Sequence, residues 1–255
     1  MGGKSHAAGV IALISVVGGL LAWEAASRLL VSNKLFLAAP TQIVMAVIGL
    51  ARSGALAHHA AVSAGEFAAG FAISTVIGIP LGLVMASSKT AKSALQPWVY
   101  GLYATPTVAL APLFILWLGI GIWSKVLVVL SLVVFPIALN TEAGLRTTSR
   151  ELVETVRSFG ASASQVFFKV SLPSAAPLIF TGLRLGIGRG LIGVVVAELF
   201  GARAGLGQLI SESSETFNMP NLFAGVCLLA LSGIALTVGF TSLERRLFPW
   251  REEQG

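Results

Sequence analysis

Long apolar stretches without charged residues alternate with short polar segments along this 255-residue chain. No Asp, Glu, Lys or Arg lies between Lys92 and Lys125 or between Glu215 and Glu244. An apolar stretch of about 20 residues can cross a bilayer as a helix, because a helix bonds its backbone groups within the segment. The pattern predicts an all-α, polytopic membrane protein with a single transmembrane domain, residues 1–255. Its six spans are expected at about residues 8–31, 67–87, 95–118, 123–145, 174–200 and 221–243.

The first predicted span also fits a secretory signal peptide, since Lys4 precedes its apolar run. A retained helix is favoured, because Glu24 and Arg28 lie four residues apart near its end and can pair on one face. Beyond it, apolar residues at helical spacing in 41–51 predict a short interfacial helix on the outer side.

Four helix-breaking residues mark the third predicted span: Pro106 and Pro112 lie within it, and Gly119 and Gly121 follow directly after it. Such breaks are tolerated in a membrane where neighbouring helices or a water-filled cavity satisfy the freed backbone groups. The sequence therefore predicts a kinked or interrupted third helix.

Basic residues indicate the orientation of the spans. Of the seventeen Lys and Arg residues, ten lie in segments on the same side as the termini, five on the opposite side and two inside the fifth span. Basic residues of short loops tend to remain cytoplasmic. The count predicts that both termini and the segment 150–173 lie in the cytoplasm.

Composition excludes most other classes of protein. The chain is 55% hydrophobic and only 11% charged, whereas an average soluble domain is roughly 25% charged. A net charge of +6 is compatible with nucleic acid, but the basic residues are scattered between helices rather than gathered in one stripe. No nucleic-acid partner is expected.

The one cysteine, Cys227, is expected to pack as a small hydrophobe.

The segment 150–173 is a polar stretch between two apolar spans. Its first part, Arg150 to Phe159, favours a helix that Gly160 ends, because glycine readily adopts the backbone conformation found just after a helix. A second short helix is expected from Ala161 to Lys169. An ordinary solvated linker is the alternative, but Val166, Phe167 and Phe168 would be costly in a free linker and suggest a face that binds a partner.

The spacing within this segment resembles the cytoplasmic coupling loop of permease subunits of binding-protein-dependent ABC importers. That loop reads E-A-A, three residues, Gly, nine residues, then I-x-L-P; here Glu154, Gly160 and Pro173 stand at the matching positions. Thr155, Val156 and Val170 depart from the usual residue types. The rest of the chain looks like the nitrate, sulfonate and taurine branch of these permeases, through segments that include Trp23-Glu24, Leu116 to Gly121, Gly193 to Glu198 and Gly205-Leu206-Gly207.

The resemblance implies the type I ABC importer architecture in a bacterial inner membrane. The partners would be two cytoplasmic ATPase subunits, an extracytoplasmic binding protein, a second permease copy and membrane lipid. ATP and Mg would bind the ATPase, and this chain would bind no cofactor. The loop residues implied to contact the ATPase are Glu154, Arg157, Gly160, Ala161, Ser162, Phe167, Leu172 and Pro173. The solute would be small and anionic, similar to a sulfonate, taurine or nitrate.

Two glycine-containing segments resemble nucleotide motifs only superficially. Gly82 to Thr90 lacks the glycines of a phosphate-binding loop, and Gly186 to Leu191 lacks the last glycine of a dinucleotide fingerprint. Gly182, Gly186 and Gly190 recur every four residues, which places them on one helix face and favours close helix packing.

Two arginines within the fifth span are candidates for function, because a charge inside a membrane segment is costly. Arg184 is expected to have a structural role near the inner interface. Arg189 either lines the path and attracts an anion or pairs with a neighbouring span. Glu198 is a candidate gate residue that could pair with Arg203. The remaining candidates for the path are Pro106 and Thr107.

No catalytic residues and no metal site are expected. His58 and His59 are adjacent and lack nearby carboxylate or cysteine partners, so they are interpreted as solvated loop residues. An ion-coupled secondary transporter is the main alternative function. It would ordinarily need titratable groups near the middle of the membrane, whereas Arg184 and Arg189 do not release protons.

Overall fold

The structure is a computed structural model that describes residues 2–30 and 36–248, with side chains from residue 9 onward. The described residues form helices and turns, with no strand among them. The α-helices are α1 (Gly2–Leu29), α2 (Pro40–Arg52), α3 (Ala55–Ser87), α4 (Lys89–Ala104), α5 (Ala111–Leu118), α6 (Ile122–Arg146), α7 (Arg150–Ser158), α8 (Ala163–Val166), α9 (Leu172–Gly201), α10 (Leu206–Glu215) and α11 (Met219–Leu247). A 3-10 turn, Thr107–Leu110, precedes α5, and a π-helical turn, Phe167–Ser171, joins α8 to α9.

The described part of the chain has five helical stretches that are long and apolar enough to cross a membrane. A sixth span forms if α4 and the segment 107–118 are counted together, and these two halves are bent by 78°. Pro106 lies at the break, where its missing N–H and fixed φ end a helix. The all-α class, the six spans and the interrupted third span are therefore confirmed.

The second span begins at Ala55, earlier than the predicted residue 67. Two polar residues of its first turns face protein partners instead of solvent. His59 contacts the backbone of Gly205, and Ser63 donates a hydrogen bond to a buried glutamate. Because these side chains are satisfied inside the protein, a polar stretch continues as helix.

Other boundaries differ less. The helical stretch of the fifth span starts at Ala163 rather than at residue 174, and α11 extends the sixth span at both ends to Met219–Leu247. The interfacial helix predicted at 41–51 is α2. The predicted end of the first span, Val31, lies outside the described residues.

Three helices, α3, α6 and α9, form the centre of the structure. The middle helix, α6, is the most buried candidate span, and its residues Val129, Val133 and Ile137 are fully buried in one cluster with residues of α9. In lipid such packing depends on close van der Waals contact rather than on the removal of apolar surface from water. Small residues at the helix contacts therefore determine how near the helices can lie.

The three glycines of the fifth span that were predicted to allow close helix packing do lie at helix contacts. A Cβ on Gly182 would lie 2.8 Å from Asn140 Cβ, and one on Gly186 would lie 2.9 Å from Val133 Cγ1. A Cβ on Gly190 would lie 2.8 Å from the ring of Phe67. Each distance is shorter than real Cβ contacts allow, so these positions require glycine for close approach.

A second glycine face, on α3, is visible only in the structure. Gly70, Gly78 and Gly82 all face α6. A Cβ on Gly70 would lie 2.6 Å from Val129 Cβ, and one on Gly82 would lie 2.6 Å from Thr141 Cβ. The middle helix is thus approached closely from both sides.

The first helix, α1, packs through its C-terminal part. The carboxylate of Glu24 accepts hydrogen bonds from the backbone N–H of Thr41 at 3.0 Å and from its hydroxyl at 2.8 Å. Arg28 pairs with Glu24, as predicted, and also donates to Thr41 Oγ1. Glu24 therefore satisfies one of the free N–H groups at the start of α2.

We expect Gly82→Ala to destabilise the protein, because its added methyl group would overlap Thr141, and overpacking costs about 1–3 kcal/mol. Gly65→Ala on the same helix is the matched control, since a Cβ there meets nothing within 4 Å. The midpoint of thermal unfolding is measured for both purified variants in detergent. Equal midpoints for the two variants would contradict the packing argument.

Candidate functional site

The segment 150–171 forms a helix, a glycine turn and a second helix at one end of the spans. In α7, the side chain of Ser149 caps the N-terminus by accepting a hydrogen bond from Leu152 N, and Glu151 lies in the first turn. Gly160 follows the helix with φ +84° and with open space around its Cα. This left-handed conformation favours glycine, so the predicted turn at Gly160 is confirmed.

The second helix begins at Ala163 instead of Ala161, because Ser162 is its N-cap. The hydroxyl of Ser162 accepts from Gln165 N at 3.3 Å, and the Gln165 side chain accepts from Ser162 N at 2.8 Å. This reciprocal capping box fixes the start of the helix.

The second helix is not a separate element that ends at Lys169. It continues through the π-helical turn, Phe167–Ser171, into α9, so one helical stretch runs from Ala163 to Gly201. Pro173 lies within this stretch, directly after the π-helical turn, and having no N–H it donates no hydrogen bond to the preceding helix. The loop is therefore connected to the fifth span by continuous helix.

Several loop side chains are exposed. Glu154 is exposed and bridges Arg150 at 2.8 Å, while Arg157 and Ser162 are also exposed. Phe168 is 62% exposed, whereas Phe167 is half-buried. Phe159, beside the glycine turn, is 86% exposed. Phe159 was not among the residues predicted from the sequence. The sequence signal for it is an aromatic residue at the end of a polar helix, directly before the glycine of the turn.

Within the bundle, Arg189 on α9 is held by Tyr103 on α4. Arg189 Nη2 donates to Tyr103 Oη at 2.7 Å, and the guanidinium carbon lies 4.8 Å from the centre of the tyrosine ring. A cation over an aromatic face is attracted to the electrons of the ring. Tyr103 lies just before the break that contains Pro106, which is exposed, and Thr107, which is buried. Sequence reasoning did not identify Tyr103.

Arg184 binds a different neighbour. Its Nη1 lies 3.4 Å from Glu244 Oε2 on α11, which agrees with the structural role predicted for it. Arg184 and Arg189 therefore contact helices α11 and α4 separately and do not form one anion clamp.

Glu198 does not pair with Arg203, contrary to the prediction. Its carboxyl group is fully buried and accepts hydrogen bonds from Ser63 Oγ at 2.6 Å and from Gly207 N at 2.5 Å. Arg203 is exposed. Burial of a charged pair is costly, and the nearby hydroxyl and backbone N–H satisfy the carboxyl group without it.

His59 is not a solvated loop residue. It lies in α3, half-buried, with Nδ1 3.1 Å from Gly205 N and 2.9 Å from Gly205 O. His58 is exposed. Among the residues that the structure describes, no three His, Cys, Asp or Glu side chains gather in a group that could hold a metal ion.

A buried ion pair, missed in the sequence, joins α3 to α6. Lys125 Nζ lies 2.8 Å from Glu66 Oε1, and both residues are almost completely buried. Each residue stands alone at the edge of an apolar stretch, and two isolated opposite charges at such edges were a usable signal for pairing.

Six helical spans, an interrupted third span and an exposed loop continuous with the fifth span define a membrane transport protein of the permease class. Residues 78–251 match the family described as the binding-protein-dependent transport system inner membrane component. The chain belongs to this family, and it is an ABC importer permease of the inner membrane.

Relatives with assigned roles cover nearly the whole chain. The formylaminopyrimidine transport permease protein ThiX of Halalkalibacterium halodurans is 37% identical over 92% of this chain and 93% of its own length. The taurine transport system permease protein TauC of Escherichia coli is 32% identical over 92% of this chain and 87% of its own length. Their named solutes differ in chemistry.

A solved structure of the MetNI methionine ABC transporter, in an inward-facing conformation, has the same fold. Its TM-score is 0.61 over 73% of this chain and 92% of the solved chain, at 21% identity. At this identity the likeness supports the fold alone.

Proposed function

We propose that this permease carries a small anionic organic solute, similar to a sulfonate or taurine, that an extracytoplasmic binding protein delivers. Two ATPase subunits drive it, and two copies of this chain enclose the path. The main support is the loop 150–171, which presents exposed aromatic residues and is continuous with the fifth span. Both termini and this loop are cytoplasmic in the proposal, in keeping with the excess of basic residues on that side.

The loop is suited to transmit a movement. Phe159 and Phe168 expose apolar surface next to charged residues, which is typical of a surface that docks into a partner groove. Because α8 and α9 form one helical stretch, a displacement of the loop displaces the fifth span as well. Glu154, which is exposed and held only by the exposed Arg150, is available to exchange that partner for a basic group of the ATPase.

Arg189 supports an anionic solute. It lies inside the fifth span and beside the break of the third span, where a bent backbone leaves polar groups without helical partners. Tyr103 holds the guanidinium group in place but is neutral, so the positive charge of Arg189 stays uncompensated by this contact. The taurine permease TauC is a relative whose named solute carries a sulfonate.

We expect Gly160→Asp to lower uptake by about tenfold or more, because it strains a left-handed turn and adds a carboxylate to the surface that docks. Gly54→Asp is the matched control, since Gly54 has φ +78° and open space but lies in the turn between α2 and α3. Uptake and solute-stimulated ATP hydrolysis in proteoliposomes measure the effect. Normal coupling in Gly160→Asp with an unchanged amount of inserted protein would refute the docking role.

The charge of Arg189 can be separated from its packing. Arg189→Lys should keep much of the uptake, whereas Arg189→Gln should lower it, because only the first retains a cation. The test solute is the ligand that binds the partner binding protein in a panel of sulfonates, nitrate and vitamin precursors. Equal uptake by the two variants would argue against attraction of an anion.

The source of energy distinguishes this proposal from an ion-coupled carrier. Uptake should require the partner ATPase and should stop with vanadate. Uptake that survives without the ATPase and collapses with the proton gradient would overturn the proposed coupling.

A further inference from the structure

Two buried glutamates meet at the end of the fifth span that lies opposite the loop 150–171. Glu66 on α3 is 3% exposed and Glu198 on α9 is fully buried. Ser63, which lies three residues before Glu66 on α3, donates a hydrogen bond to Glu198 Oε1 at 2.6 Å. Lys125 on α6 pairs with Glu66 at 2.8 Å and is itself 5% exposed. These three residues are referred to below as the carboxyl cluster.

The carboxyl cluster has two acids and one base. Two ionised carboxylates accept hydrogen bonds but donate none, and at contact distance they repel each other. One Lys cation balances only one negative charge, and an uncompensated buried charge is costly. A balanced cluster therefore keeps one of the two carboxyl groups protonated. The ion pair with Lys125 keeps Glu66 ionised, which leaves the proton on Glu198.

The cluster holds the turn that joins α9 to α10. Two consecutive backbone N–H groups of this turn donate to side chains, Leu206 N to Ser63 Oγ at 2.8 Å and Gly207 N to Glu198. His59 Nδ1 contacts the backbone of the preceding residue, Gly205, and bonds its O at 2.9 Å or its N at 3.1 Å according to the tautomer of the ring. Gly205 has φ +129°, and a Cβ there would overlap the Glu198 carboxyl group. The turn is thus built closely around a buried acid.

We propose that Glu198, in its neutral form and bonded to Ser63 and Gly207, is a positioning residue of a latch that fastens the α9–α10 turn to α3. Glu198 does not need to contact the solute in this role. The latch makes the far end of α9 move together with α3 and α10 when the loop end of the same helix is displaced. The latch is independent of the proposed ATPase coupling and of the proposed solute, because neither is needed for these contacts to form.

Proteolytic cleavage at Arg203 measures whether the latch is open. It is exposed and lies within the turn, so trypsin cuts after Arg203 when the turn opens. The experiment uses the full chain in nanodiscs, where both membrane faces are accessible. The fragment that ends at Arg203 is quantified by mass spectrometry. This fragment should be absent from Arg203→Gln, which identifies the cleavage site.

Glu198→Ala should raise the rate of cleavage at Arg203 by about tenfold, because it removes the acceptor of two buried hydrogen bonds. Glu198→Gln should keep cleavage slow, since an amide is neutral and its oxygen still accepts a hydrogen bond from Ser63 or Gly207. Glu212 is an exposed acid on α10, so Glu212→Ala is the control and should be cleaved at the same rate as the unaltered protein.

His59→Ala and Ser63→Ala each remove one link and should give smaller increases, so the latch can be tested even if Glu198→Ala fails to insert. In transport assays these two variants should lower the maximal uptake rate and leave the half-saturating concentration of loaded binding protein unchanged. Slow cleavage in His59→Ala, Ser63→Ala and any inserted Glu198→Ala would refute the latch. Cleavage of Glu198→Gln as rapid as that of Glu198→Ala would refute a neutral Glu198.

Discussion

Close approach of α6 to both α3 and α9 is the constraint on which the rest of this structure depends. In a bilayer, apolar side chains gain little by leaving lipid for the protein interior, so helices associate through tight packing. Gly70 and Gly82 on one side, and Gly182 and Gly186 on the other, let the backbones come near enough for that packing. The interruption of the third span and the loop are positioned on this three-helix centre.

Polar contacts join helices both within that centre and beyond it. Lys125 and Glu66 join α6 to α3, Arg184 and Glu244 join α9 to α11, and Arg189 and Tyr103 join α9 to α4. The two ion pairs each balance a charge that would be costly if left alone inside the membrane, and Tyr103 gives Arg189 a hydrogen-bond acceptor. Because a wrong neighbour would strand the charge, these pairs make the arrangement of the helices specific.

The fifth span connects the two ends of the molecule. Its helical stretch starts in the loop, at Ala163, passes the three-helix centre and ends beside the turn that Glu198 and His59 hold. A helix rises about 1.5 Å per residue, so the 39 residues of this stretch extend over roughly 58 Å. The loop that marks an ABC importer permease and the latch at the opposite end are therefore parts of one mechanical element.

The sequence by itself determined the all-α class, most span positions, the break at Pro106 and the turn at Gly160. Each of these depends on apolar length, helix periodicity or the conformation of one residue, all of which are local. Only the tertiary structure decided that the polar start of α3 is helical and that Glu198 binds Ser63 rather than Arg203. Ser63 and Glu198 are 135 residues apart in the chain, and a hydrogen bond over that separation exists only after the helices have packed.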